Sequence, residues 1–294
     1  MKKIGIIAVN LFLFIFVLIA MEAICYFKDT SGFKYRPAYI FRTTNYSIES
    51  LKMNMRHPQG LVYAKPPILI YGCSYAYGFA LDEKESFGYK LSELTKRPVY
   101  NFAVSSKGLQ DALFLLRNDE KVTPEPEYIF YVFINDHVRR MFVNCNKIDN
   151  VKYLTYKNVN NNLVQNTDLI SDKSYLLRNL ENQSYYLLKN VFKKQIFELV
   201  KLYFVSINNE IKKKYPNAKF VVIDYENGHE NYLSLPKIKE LEKEGIEVIS
   251  LSQVFNDKLK MNKYKNPKEI DPFRHPNGQA WNLITEYLAE RYRL

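Results

Sequence analysis

Cysteine, histidine and glycine are scarce in this chain, and each shortage narrows what it can do. Only three cysteines occur among 294 residues, Cys25, Cys73 and Cys145. The number is odd and Cys25 stands at the end of an apolar N-terminal run, so no disulfide framework is legible. Cys73 and Cys145 either pair with each other or remain small buried thiols. No cysteine spacing suits a metal, and no metal site is expected. The glycines that follow the first apolar strand match neither a phosphate-binding P-loop nor a dinucleotide fingerprint, so no nucleotide cofactor is expected either. A dense basic block interleaved with aromatics is also missing. The formal charge of +11 comes from lysines scattered among Asn, Ile and Tyr. Nucleic acid is therefore not an expected partner, and attraction to an anionic polymer has little support.

What is present begins with Lys2 and Lys3, followed by a run from Ile4 to Ala20 that holds no charge and one polar residue, Asn10. Roughly 17–25 apolar residues cross a bilayer as a helix. Residues 1–25 are therefore expected to form an N-terminal transmembrane helix, with the lysines cytoplasmic and the bulk of the chain extracytoplasmic. A cleavable signal peptide shares the same charged start and apolar middle. The cleavage signal is poor, however, and Ile24 before Cys25 fits badly with lipoprotein processing. An uncleaved single-pass anchor is the expectation, and the membrane is one expected partner.

Residues 26–65 are aromatic, polar and irregular, without the Gly/Ser/Pro bias of a flexible tether, and read as a connector packing on the domain. From residue 66 to 294, short apolar runs alternate with helical periodicity, the pattern of a parallel sheet covered on both faces. The expected strands are Ile68 to Tyr71, Val99 to Phe102, Tyr128 to Ile134, Phe220 to Ile223 and Ile246 to Leu251. Helices are expected around Phe87, Leu91 and Leu94, over Leu109 to Arg117, along the stripe Ile196 to Ile211 stopped by Pro216, and from Gly278 to Tyr292. The fold class is then α/β, a three-layer α/β/α sandwich on a five-stranded parallel, flavodoxin-like sheet. Residues 144–172 break the rhythm with an asparagine cluster between two short runs, Tyr153 to Tyr156 and Leu163 to Gln165, and read as a hairpin-like insertion.

A serine hydroxyl reacts only when a base removes its proton, a third group orients that base and donors stabilise the oxyanion. Ser74 lies just past the first strand in Gly72-Cys73-Ser74-Tyr75-Ala76-Tyr77-Gly78, where small residues permit a tight turn at the sheet's carboxyl edge. Four histidines are available as its base. His57 and His229 sit in irregular, polar segments. His137 follows Asn135-Asp136 at the end of the third strand, placing Asp136 and His137 near the site as supporting or substrate contacts. His275 precedes the closing helix, with Asp271 four residues upstream. Asp271 either fixes the imidazole tautomer or caps a turn before the helix.

The blocks Ile68 to Gly78, Asn101 to Gly108, Phe133 to Asp136 and Asp271 to Asn277 resemble, in order and spacing, the four signature blocks of the SGNH (GDSL-like) hydrolases. The resemblance implies Ser74 as nucleophile, with its backbone N–H as one oxyanion donor. It also implies the Asn135 amide as a second donor, and Asp271 with His275 as the remaining catalytic pair. Three positions depart from the pattern. Cys73 stands where the family often has Asp, and the second-block glycine is displaced, leaving Ser106 or Gly108 as the third donor. The Asp271 to His275 spacing is longer than usual. The implied activity is that of a serine esterase or O-acyltransferase needing no cofactor, in the manner of envelope members that add or remove O-acetyl groups on carbohydrate. An acylated carbohydrate or other ester is the implied substrate. A catalytically silent carbohydrate-binding or scaffold protein on the same fold is the alternative. Protein partners and oligomeric state are not legible.

Overall fold

The tetrapeptide Ile68-Leu69-Ile70-Tyr71 forms β1 (Ile68–Tyr71) and is buried along its whole length. Such a continuously apolar strand fits only the middle of a sheet covered on both faces. A computed structural model describes residues 14–21, 65–105, 107–119, 121–142, 145–146, 151–152, 155–159, 162–166, 191–225, 233, 235–255 and 275–294. In it β1 pairs in parallel with β2 (Val99–Asn101) on one side and β3 (Tyr128–Phe133) on the other.

Two hairpins occupy the expected insertion. The first joins β4 (Cys145–Asn146) to β5 (Val151–Lys152), and the second joins β6 (Thr155–Val159) to β7 (Asn162–Asn166), both antiparallel. The sheet then continues with β8 (Lys219–Asp224) and β9 (Glu247–Ser250), giving the order β2-β1-β3-β8-β9, parallel throughout. This is the five-stranded parallel sheet that the sequence pattern predicts.

Alternate strand residues feed two cores. Leu69, Tyr71, Ile129, Tyr131, Phe133, Phe220 and Val222 face one layer, shared with α3 (Leu109–Asn118), α5 (Lys193–Lys214) and α6 (Leu235–Lys243). Ile68, Ile70, Phe130, Val132, Val221 and Ile223 face the other, shared with α2 (Phe87–Thr95), α7 (Leu251–Phe255) and α8 (Gly278–Tyr292). The period-two side-chain alternation of a strand thus makes one sheet the middle of three layers. α5 carries the predicted stripe, with Ile196, Val200, Tyr203, Ile207 and Ile211 all buried. Leu163 of the second hairpin is also buried in the first layer, and its carbonyl accepts a 2.9 Å hydrogen bond from Arg117 of α3.

Residues 14–21 are helical and present Phe14, Ile15, Phe16 and Ile19 at the surface. Among the described residues no helix is long and apolar enough to cross a membrane. The remainder of the expected anchor and nearly all of the connector lie outside the described residues. Cys73 is a free, buried thiol.

The short helix α4 (Asp136–Phe142) follows β3 and turns His137 fully inward. Its Nδ1 lies 2.8 Å from the Tyr131 hydroxyl, and its ring packs edge-on against Tyr131 and Phe133. Nε2 has no hydrogen-bond partner among the described residues. Burial, reinforced by the nearby Arg140 guanidinium and opposed by Asp136, pushes the imidazole well below its usual pKa. The unfolded chain takes up a proton near pH 6.5 that the folded chain refuses, so this contribution to stability is complete above that pH and lost below it. Replacing His137 with Gln should flatten the fall in unfolding free energy between pH 6.5 and 5 by a slope approaching about 1.4 kcal/mol per pH unit. Denaturant melts across that range check it; parallel profiles for variant and wild type would contradict it.

Candidate active site

β1 and β3 are neighbours in the sheet although β2 lies between them in sequence, so the chain leaves them in opposite directions and opens a crevice at their carboxyl ends. The segment after β1 begins at Gly72, whose φ is +150°. A side chain there would place its Cβ 3.0 Å from the Ala76 Cβ and 3.1 Å from the Val132 carbonyl oxygen. Only glycine lets the backbone pass so close to β3 in that conformation. Cys73 then precedes the single turn α1 (Ser74–Tyr77), which ends at Gly78 in the left-handed conformation with its N–H donated to the Ser74 and Tyr75 carbonyls.

Asn101, at the end of β2, stitches this turn to its neighbour. Its amide donates to the Ala76 carbonyl at 2.8 Å, and its side-chain oxygen accepts the Ala103 N–H at 3.0 Å. Sequence reasoning placed Asn101 in a signature block without a role of its own. The signal available was a polar residue ending a strand whose other members are apolar.

His275 arrives from the far end of the chain. Its Nε2 lies 2.8 Å from the Ser74 Oγ, with Ser74 9% exposed and His275 4%. Of the four histidines, the structure brings this one to the serine; His57 and His229 lie outside the described residues. Tyr75 and Phe79 pack on the imidazole, with ring centroids 5.0 Å and 4.9 Å away. Tyr75 in turn meets Tyr225, which packs on Trp281 of α8. Burial pushes the Tyr225 hydroxyl well above its usual pKa, so it remains neutral. Asn277, two residues after His275, caps α8 by accepting the Ala280 N–H at 3.0 Å, which anchors the loop that carries the histidine.

Asn135 follows β3 by two residues. The backbone is fixed around it: the His137 N–H donates to the Ile134 carbonyl and the Val138 N–H to the Asn135 carbonyl. The Asn135 Nδ2 is buried without an acceptor among the described residues. A buried donor left unmatched costs about 1–3 kcal/mol, and native structures retain few of them. A donor held in that state at the crevice is suited to an oxygen supplied from outside.

The other expected site residues fall differently. The Gly108 N–H donates to the Asp111 Oδ2 at 2.8 Å, closing the start of α3, so it is engaged within the fold rather than offered as an oxyanion donor. Ser106 and Asp271 lie outside the described residues. Asp136 binds Arg139 and Arg140. Burial opposes its ionisation, yet the two guanidinium groups hold its carboxyl well below the usual range. His137 is fully buried against Tyr131 and Phe133, in the layer opposite the Tyr75 that backs His275. Among the described residues no group of acidic, histidine or cysteine side chains is placed to hold a metal ion.

No protein-family model matches the chain, and no curated protein sequence matches it. Solved structures that align with it include an acetyl xylan esterase from the rumen bacterium Butyrivibrio proteoclasticus, 12% identical over 79% of this chain and 65% of that one, with a TM-score of 0.45. A member of the lipolytic protein G-D-S-L family from Veillonella parvula is 10% identical over 78% of this chain and all of its own (100%), with a TM-score of 0.43. A salicylyl-acyltransferase from a tetracycline biosynthetic pathway is 11% identical over 79% of this chain and 56% of that one, with a TM-score of 0.45.

Proposed function

We propose that this chain is a serine esterase or O-acyltransferase of SGNH type that works through an acyl-enzyme. The observation that carries the reading is the 2.8 Å contact between His275 Nε2 and Ser74 Oγ, made by two buried side chains at the carboxyl edge of the sheet. A neutral imidazole at that distance accepts the hydroxyl proton as Ser74 Oγ bonds to an ester carbonyl carbon. Negative charge then develops on the carbonyl oxygen. The Ser74 N–H at the start of α1 and the unmatched Asn135 amide are the donors assigned to it. Collapse breaks the ester C–O bond, and His275 returns the proton to the leaving alkoxide. Water, or a sugar hydroxyl in the transferase case, repeats the sequence in reverse to free the serine. Ser106 is the remaining assignment for a third N–H donor, and Asp271 for the acid that orients His275.

The substrate class proposed is O-acylated carbohydrate of the cell envelope. Support comes from the signature blocks and from the apolar N-terminal run, whose residues 14–21 are a helix with apolar side chains facing outward. On this reading residues 1–25 hold the chain in a membrane by a single pass, with the domain extracytoplasmic.

The full-length protein should hydrolyse an activated acetate ester, and Ser74→Ala and His275→Ala should each lower kcat by about 10³-fold or more. Asn135→Ala should lose about 10²–10³ while retaining its melting temperature. Equal turnover by wild type and all three variants would contradict the enzymatic reading and favour a silent binding protein. Supplying a glycan acceptor and analysing products separates hydrolysis from transfer. Protease added to the outer face of intact spheroplasts should digest the domain; full protection would contradict the topology.

A further inference from the structure

Arg140 is 7% exposed, and a buried guanidinium is stable only where its charge is paired and its donors are satisfied. Its partners lie on its own helix α4, four residues back, and on the loop leaving β2. Nε donates to the Asp136 Oδ2 at 2.8 Å and Nη2 approaches the same oxygen at 2.7 Å, while Nη1 donates to the Lys107 carbonyl at 2.5 Å. Asp136 immediately follows Asn135. Lys107 immediately follows Ser106. One side chain, braced on the first residue of α4 next to Asn135, therefore ties that helix to the loop leaving β2.

The second loop is gripped with unusual completeness. The peptide bond between Lys107 and Gly108 is held at both ends, its carbonyl by Arg140 and its N–H by Asp111. The Lys107 ammonium lies 3.7 Å from the other Asp111 oxygen, with both side chains almost fully buried. Burial lowers the lysine pKa and raises that of the aspartate, each being opposed by the charge of the other. Upstream, the Val104 N–H donates to the Gly72 carbonyl, and the Lys107 N–H closes a turn onto the Val104 carbonyl. Gln110 fixes the clamp from above by donating to the Arg140 carbonyl at 3.1 Å.

We infer that Arg140 is a positioning residue that sets the distance between the two oxyanion-donor loops, the one carrying Asn135 and the one between Val104 and Gly108. This rests on the acyl-transfer reading and adds to it a link that neither donor shows alone. The physical need is clear. Oxyanion donors work only when fixed about 3 Å from the place where charge develops, and a shift of about 1 Å costs orders of magnitude in rate. A planar fork that binds the Asp136 carboxylate on one edge is held in orientation on α4 while its other edge grips the Lys107 carbonyl, whereas a lysine has one compact charge and cannot do both.

Two measurements on the full-length protein test this. In kinetics with an activated ester, Arg140→Gln and Arg140→Lys should both lower kcat by about 10–100-fold while KM changes less than about 3-fold. Combining Arg140→Gln with Asn135→Ala should give a loss smaller than the product of the two single losses, because both act on the same donor. In hydrogen exchange, Arg140→Gln should raise amide exchange in residues 104–111 and 134–140 together while the β8 and β9 strands keep their protection. Exchange that is unchanged, or raised in only one loop, would overturn the clamp whatever the kinetics show. Coupled exchange with kcat unchanged, or with losses that multiply, would overturn its role in positioning the donors. Coupled exchange in a protein whose turnover does not depend on Ser74 would overturn the acyl-transfer reading and the donor-setting role with it.

Discussion

The hydrogen bond between Ser74 and His275 joins side chains 201 residues apart in sequence, and almost every feature of the fold serves to bring them within 2.8 Å. Ser74 is presented by a one-turn helix too short to be stable alone, and His275 by a loop. Their meeting therefore depends on the sheet, whose strands are buried on both faces and end together at one edge. Parallel order obliges the chain to cross the sheet between strands, which brings β1 and β3 side by side and leaves a crevice between their departing ends.

Within that crevice, small polar contacts convert a general location into a geometry. Gly72 lets the chain pass close to β3 in a conformation that would strain any other residue. Asn101 pins the nucleophile's turn to the end of β2, and Asn277 pins the histidine's loop to the start of α8. The aromatic series Phe79, Tyr75, Tyr225 and Trp281 backs the imidazole with surfaces that exclude water. Excluding water there strengthens each remaining electrostatic contact. Beneath the second and third loops lies a set of buried charges, Lys107, Asp111, Arg140 and the partly exposed Asp136, each acceptable in the interior because the others neutralise it.

Much of this was legible in the sequence, and the reason is physical. Ile68 to Tyr71, Phe130 to Phe133 and Phe220 to Ile223 are unbroken apolar runs of strand length, which no solvated loop would carry. The limits expected for the closing helix, Gly278 to Tyr292, are those of α8. The pairing of Ser74 with His275 rested mainly on the resemblance of the four ordered signature blocks and, for His275, also on the choice among only four histidines. What pattern could not supply was the direction of individual polar groups. Gly108 stood as a candidate donor until its N–H was found engaged by Asp111, three residues on. The sequence placed His137 near the site but could not show that its ring turns inward onto Tyr131. The charge cluster was hidden for the same cause: Lys107 and Arg140 are ordinary surface residues in sequence, and only tertiary contacts make them interior ones. The first small hairpin, β4 with β5, is two residues per strand and leaves no periodicity to read.

The central claim is that His275 activates Ser74 for covalent attack, and it is tested most directly by the mass of the protein after exposure to an organophosphonate ester, which traps an activated serine. The account predicts one adduct per chain, located on the peptide containing Ser74, absent from Ser74→Ala and formed far more slowly by His275→Ala. An intact folded protein that acquires no adduct, or one modified at another residue with Ser74 untouched, would contradict it.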